Sequence, residues 1–472
     1  MQFRHRWVTV VAVILALLPL TACGSRWTDA QRAEIRSRIR GTQAAANATG
    51  DDSSDNGDES AFGNAGDGGG TATGSGANSG NSGSSSSKGN GSVSSASKDL
   101  PCAAPSKEIG VTDKEIKVGS ISSLTGPVPG LGGSAAGAAR AYVAYRNATG
   151  GVCGRKIVLR EADDGTDNGR YRSVISDFSS TVFGVAGGFA LGDVGGVDVI
   201  RQTRIPVVNN PGQQASADLP SVFDMNPKFE NEKTAQLGKY KYLHDHGATK
   251  ASVTYQAVDQ SRFEANLQIQ LMKNAGINVV QVQELPLSTL SYDAPARGVV
   301  NSGADYMLFI GAVDANQAMA RSMHDAGSKL KFPEYFVYSY GTNFIEAVGE
   351  GAEGAVTFLR TLPIEEANKN KELAAFLTWM DRIAPGVDHD AFAEDSWSGT
   401  KAFFDNLEAV PGVLTREAFI KQMNSVGTFD AGGMFGPVQV GKEFSNGCVV
   451  GMQVQHGKWQ RLYPASGFTC LV

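Results

Sequence analysis

The sequence predicts an α/β protein whose folded body has two lobes, each a parallel sheet covered by helices. Three observations lead there. Short aliphatic runs alternate with segments of helical period, glycines and prolines punctuate the changeovers, and from about residue 250 the rhythm starts again. Repeated strand–helix units imply parallel sheets with right-handed crossovers and helices on both faces. In such sheets ligands bind beyond the carboxyl ends of the strands, so two lobes would face each other there across a cleft.

The chain begins with segments of another kind. Arg4 and Arg6 precede an apolar run from Trp7 to Leu20, followed by Leu20-Thr21-Ala22-Cys23. A basic stretch, a short apolar stretch and small residues describe a secretory signal over residues 1–22, shorter than the ~20 apolar residues of a membrane span. The cysteine after them makes this stretch resemble the lipobox of bacterial lipoproteins, which implies acylation of Cys23 and an extracytoplasmic protein anchored to the outer face of the cell membrane. The segment Asp29 to Arg40 reads as a short helix whose arginines either lie on lipid headgroups or form a solvated charge run. Thr42 to Lys98 is built of Gly, Ser, Asn, Asp, Ala and Thr, too poor in apolar groups to order itself. Residues 23–98 are therefore expected to be an anchored N-terminus and disordered linker, and residues 99–472 the folded body.

In the body, Glu115 to Ser122 is predicted as a strand, followed by the turn Gly126 to Gly133 and a small-residue helix from Ala135 to Arg146. Lys156 to Ala162 is the next strand. Tyr171, Val174, Ile175 and Phe178 mark one face of a helix. Val182 to Ala186 and Pro206 to Asn209 read as buried strands, with a helix near Val194 to Gln202 between them. The second series holds strands at Ser252 to Tyr255, Asn278 to Gln283, Tyr306 to Gly311 and Tyr335 to Tyr338. Its helices run from Phe263 to Asn274 and over Ala315 to Ala326. Later helices carry Leu373, Phe376, Leu377 and Met380 on one face, and Phe419 and Met423 on another.

Composition excludes several classes. With 42 basic and 48 acidic residues the chain has no basic surplus for nucleic acid. No GxSxG or HExxH motif supports an enzyme. Gly130-x-Gly132-x-x-Ala135 nearly fits a dinucleotide fingerprint, but Pro127 and Pro129 crowd the turn, so no cofactor is predicted. His244-Asp245-His246 lacks a further clear ligand, so no metal is predicted either. Besides Cys23 there are four cysteines, Cys102, Cys153, Cys448 and Cys470, even in number and suited to an oxidising compartment. Of the three connectivities, Cys102 with Cys153 and Cys448 with Cys470 is favoured because each closes a modest local loop.

Five motifs, in order along the chain, carry a family resemblance. They are Gly110-Val111-Thr112-Asp113-Lys114-Glu115-Ile116-Lys117-Val118-Gly119 with Leu124-Thr125-Gly126-Pro127, Ala148 to Ile157, the pair Asp163-Asp164, Ala352-Glu353-Gly354, and Phe429 to Val438. From about Ile109 to the C-terminus the chain resembles the leucine/isoleucine/valine-type (branched-chain amino acid) substrate-binding proteins of ABC importers. The resemblance implies a type I periplasmic-binding fold: two Rossmann-like lobes joined by three hinge segments, near Met225–Pro227, Leu359–Leu362 and Phe435–Val440. Lobe 1 would take about 109–227 and 360–437, and lobe 2 about 228–359 and 438–472. It also implies a non-enzymatic monomer that captures a small polar solute (an amino acid, amide or related compound) and delivers it to a membrane permease. A ligand-sensing or structural surface lipoprotein without a transport partner is the alternative.

The loop Gly188 to Asp193 joins a strand to a helix start, where free backbone N–H groups suit a carboxylate. In amino-acid-binding relatives, hydroxyl residues of this loop and a threonine after the next strand grip the α-carboxylate. The matching positions here read Ala190-Leu191-Gly192 and Pro211-Gly212-Gln213. Candidate ligand contacts are Leu191, Asp193, Asn209, Asn210 and Gln213 on lobe 1, and Tyr255, Gln260, Asp314, Tyr338 and Tyr340 on lobe 2. Asp193 and Asp314 also read as helix N-caps, and Tyr338 and Tyr340 as lobe packing.

Overall fold

Strands with both faces buried need helices above and below, and that requirement organises the chain. The computed structural model describes residues 106–128, 130–209, 211–212, 214–225, 237–440 and 447–470. The signal, Cys23, the linker, Cys102, Asn210, Gln213 and part of the Met225–Pro227 hinge lie outside the described residues. No helix among the described residues is long and apolar enough to cross a membrane.

The first sheet holds β1 (Glu115–Ser122), β2 (Lys156–Asp163), β3 (Val185–Ala186), β4 (Val207–Asn209) and β5 (Val222–Asp224), all parallel, in the order β2-β1-β3-β4-β5. The second holds β6 (Lys250–Gln256), β7 (Asn278–Leu285), β8 (Tyr306–Ile310), β9 (Phe332–Tyr335), β10 (Val356–Leu359), β11 (Val450–Gln455) and β12 (Lys458–Tyr463), in the order β12-β11-β10-β9-β8-β6-β7. Its first five strands are parallel, and β11 and β12 add on antiparallel. The turn His456-Gly457 has φ of 54° and 70°, the left-handed pair that suits a tight hairpin. Each sheet carries apolar clusters: Ile116, Val118, Tyr142, Trp397 and Phe403 belong to one and Tyr171, Ile175 and Phe178 to another for the first sheet. Met307, Phe309 and Tyr335 contrast with Ala251, Val253 and Leu308 in the second.

Two predicted strands shift. Only Val185–Ala186 of the Val182 to Ala186 run is strand, because the Val182 N–H still closes the preceding helix on Phe178. Instead of Tyr335 to Tyr338, the strand is Phe332–Tyr335. Val337–Ser339 curls into a 3-10 turn, with Ser339 donating to the Phe336 carbonyl, and this sends Tyr338 toward the cleft. The helix Ala391–Glu408 has no counterpart in the sequence reading. Fifteen of its eighteen residues are buried, so it lacks the apolar stripe that periodicity detects.

The segment after β10 and the segment leading to β11 run side by side. Thr361 pairs with Phe435, Leu362 N–H donates to Met434, and Gly436 N–H donates to Arg360. A disulfide joins Cys448 to Cys470 beside this crossing, 22 residues apart. Cys153 is disulfide-bonded too, and the cysteines left for it, Cys23 and Cys102, lie outside the described residues.

Opening the Cys448–Cys470 loop in the Cys448→Ser/Cys470→Ser double variant should lower unfolding free energy by about 3 kcal/mol in urea titrations. Asp390 caps the helix Ala391–Glu408 by accepting from Ala393 N at 3.0 Å, and burial raises its carboxyl pKa to about 6. An unfolded carboxyl titrates near ~4. Between those pH values the folded chain holds a proton that the unfolded chain has lost, so this group's contribution falls as pH rises. Asp390→Asn keeps a capping oxygen without the charge. Relative to wild type it should gain on the order of 2 kcal/mol between pH 4 and pH 7 in parallel denaturation series.

Candidate functional site

In each sheet the strand order reverses direction beside its first strand, between β1 and β3 in one and between β6 and β8 in the other. Loops leaving such neighbours in opposite senses open a crevice. The two crevices face each other around one cavity of about 170 Å³, close to the ~150 Å³ that accepts a benzene ring. Val128 and Leu131 come from the loop after β1, and Phe189 and Leu191 from the loop after β3. Val258, Gln260 and Ser261 follow β6, while Gly311 and Ala312 follow β8. Phe392, Phe336, Val337, Tyr338, Phe358 and Val449 complete a mainly apolar wall.

An aromatic series crosses the cleft. Phe189 meets Phe392 at 4.3 Å between ring centroids, Phe392 stacks on Tyr338 at 3.9 Å and 12°, and Tyr338 meets Phe336 edge-on at 5.0 Å. Phe189 and Phe392 belong with the first sheet and Tyr338 and Phe336 with the second, so these rings touch directly across the cleft.

The loop after β3 is held from behind. Gly187 and Gly188 have φ of 62° and 79°, and a side chain on Gly188 would meet the Ile121 carbonyl at 2.3 Å. Gly188 N–H donates to Ser396 Oγ, Phe189 N–H to Ser122 Oγ, Leu191 N–H to Ser123 Oγ, and Gly192 N–H to Asp164 Oδ2. Four of the loop amides predicted to be free for a ligand carboxylate are thus taken by side chains of the protein itself. Asp164 is fully buried and also accepts from Ser123 Oγ at 2.7 Å, so it governs this loop's shape. Its neighbour Asp163 accepts from the amides of Leu124, Thr125 and Gly165, and the hydrogen bond from Thr125 Oγ1 together with these amides holds its pKa well below the ordinary carboxylate range, against the opposing effect of burial.

Of the ten predicted contacts, Leu191, Gln260 and Tyr338 line the cavity. Asn210 and Gln213 lie outside the described residues. Asp193 is buried and accepts from Gly212 N at 2.9 Å, tying two loops together and not capping a helix, since Gly192 holds the cap position. Asn209 is buried within β4. Tyr255 donates to Glu284 at 3.1 Å on the far side of β6. Asp314 accepts from Ala315 N in the first turn of the helix Val313–Asp325, behind the cap residue Ala312. Tyr340 is buried, bonded to Glu365 and accepting from Ile364 N at 2.8 Å. These five side chains do not line the cavity.

Four charged residues the sequence did not single out do line it: Lys239, Glu264, Glu334 and Arg360. Lys239 and Glu334 form a 2.9 Å ion pair with each side chain 3% exposed, and Tyr306 donates to the second Glu334 oxygen at 2.6 Å. Glu264 accepts from Gln268 at 2.7 Å, and burial raises its pKa against the pull of Gln268, Lys239 and Arg360. Arg360 meets Asp395 at 3.1 Å. A lysine in an amphipathic helix reads as solvated until the fold shows what covers it.

The profile of the periplasmic binding protein family matches residues 115–458. Leu/Ile/Val-binding protein homolog 7 from Brucella abortus (strain 2308) is 25% identical over 368 residues, which is 73% of this chain and 90% of that protein. A fatty acid ABC transporter substrate-binding protein from Thermomonospora curvata shares the fold with a TM-score of 0.64 at 17% identity, covering 77% of this chain and 94% of its own. A leucine binding protein from Thermotoga maritima MSB8 gives 0.62 at 15% identity, covering 74% and 98%. The two solved structures share the overall fold, and the chain belongs to the periplasmic binding protein family, whose members are binding proteins and not enzymes.

Proposed function

We propose that the protein is the substrate-binding component of an ABC importer. It is held outside the cell membrane by a lipid on Cys23, captures a small solute by closing two lobes, and delivers it to a membrane permease. Lobe 1 takes about 109–227 and 360–437 and lobe 2 about 228–359 and 438–472, with residues 1–22 as signal and 23–98 as anchored linker. The observation that carries this reading is the cavity at the switch points of both sheets, closed by the Tyr338–Phe392 stack. A ligand seated there would touch both lobes and so favour the closed arrangement. Leu191, Gln260 and Tyr338 are the predicted contacts best placed to meet it. The relatives' descriptions, one a Leu/Ile/Val-binding protein and one a fatty acid ABC transporter substrate-binding protein, support solute capture for transport.

Thermal unfolding of the full chain against amino acids, amides, urea-like compounds and small aromatic acids tests the receptor role. A true solute at 100 times its Kd should stabilise by about 2.7 kcal/mol and raise the midpoint by a few degrees. A flat response across the panel would count against solute capture. For the anchor, Cys23→Ala should shift the protein from the membrane fraction to the soluble fraction, and unchanged membrane retention would refute lipidation at Cys23.

A further inference from the structure

The receptor cleft is lined unevenly. Leu131, Phe189, Leu191, Phe392 and Tyr338 form an apolar side, while the cations Lys239 and Arg360 stand among the lining residues contributed around the second sheet. Glu264 lines the same cavity beside them. The anions beside them are engaged. Glu334 uses one oxygen on Lys239 and the other on Tyr306, and Asp395 accepts from Arg360.

The donors are not exhausted. An ammonium carries three N–H groups, and among the described residues Lys239 donates one hydrogen bond, to Glu334, although its side chain is 3% exposed. The Phe358 ring lies 5.3 Å away and offers no lone pair. Arg360 carries five N–H groups and gives one side-chain hydrogen bond, to Asp395. Glu264 accepts from Gln268 at 2.7 Å. A ligand group facing this end therefore meets donors in excess and has to be an acceptor. Of the lining carboxylates, Glu334 already holds Lys239 and Tyr306 and Glu264 holds Gln268, so an ammonium would compete for anions that have donors while facing two cations. The opposite rim offers no alternative grip through Gly188, Phe189, Leu191 or Gly192, whose amides already donate to Ser396, Ser122, Ser123 and Asp164.

We infer that the ligand is a small apolar carboxylate without an α-amino group. Its ring or branched chain lies against Phe189, Phe392 and Tyr338, and its carboxylate meets Lys239 and Arg360. This rests on the receptor reading of the same cleft and narrows the solute from a polar amino acid to its deaminated counterpart. A cavity of about 170 Å³ suits one ring or a short branched chain.

Calorimetric titration of the full chain with matched pairs separates the possibilities: phenylalanine against 3-phenylpropanoate, and leucine against 4-methylpentanoate. In at least one pair the deaminated acid should bind tenfold or more tighter than its amino acid. Arg360→Gln, at a partly exposed position, should then weaken the acid at least tenfold while leaving 3-phenylpropanamide or 4-methylpentanamide within twofold. Equal or tighter binding of the amino acids overturns the proposal and leaves the receptor reading standing, as does an Arg360→Gln variant that treats acid and amide alike. If none of the four compounds binds, the proposal falls, and the wider thermal panel alone then decides whether the cleft is a receptor at all.

Discussion

The helix Ala391–Glu408 is buried on almost every face, and burial presses its polar side chains to find partners. Ser396 accepts from Gly188 N and donates to Ala135 O, so one hydroxyl joins the cleft loop to the helix Gly133–Ala148. Trp397 donates to Glu372 at 2.8 Å and packs edge-on to Tyr142. Glu394 is bonded to Thr361 and Asp395 to Arg360, which tie the helix to the chain crossing from β10. Phe392, at its start, supplies a central ring of the cleft. Core, loop and crossing thus share one element, and a displacement of that helix would be felt at all three.

Electrostatics follow from the same burial. Glu394 is fully buried beside Asp390, Asp395 and Glu365, and burial drives its pKa well above the ordinary range. Lys239 and Glu334 form a buried ion pair at 2.9 Å, supported by Tyr306. Near the rim, Asp163 stays ionised because backbone amides surround it. The three carboxyls differ in what their oxygens can reach: Glu394 reaches Thr361, Glu334 reaches Lys239 and Tyr306, and Asp163 reaches backbone amides and Thr125.

The rings of the two lobes meet at the Tyr338–Phe392 stack. The Tyr338–Phe392 stack is of a kind worth about 0.5–1.5 kcal/mol beyond the area it buries. The Arg360–Asp395 pair, with Asp395 buried, ties the segment after β10 to the helix Ala391–Glu408. In the proposed receptor role, closure of the lobes would act on the stack.

Strand–helix alternation determined the α/β class, since strands buried on both faces read as continuous apolar runs such as Tyr306 to Ile310. The spacing of Cys448 and Cys470 was enough to favour their pairing, and the acidic pair Asp163-Asp164 was legible as a motif. What periodicity could not reveal was the helix Ala391–Glu408, because burial on all sides erases the amphipathic stripe. Nor could local sequence tell that Tyr338 lines the cavity while Tyr340, two residues on, is buried away from it on Glu365. A 3-10 turn rotates one ring toward the cleft and the other into the core. Lys239, Glu264, Glu334 and Arg360 come from four separate elements, and which charges share a cleft is a fact about distance in space. Only the tertiary structure sets that distance, because the chain fixes neighbours along its length and folding alone fixes neighbours across it.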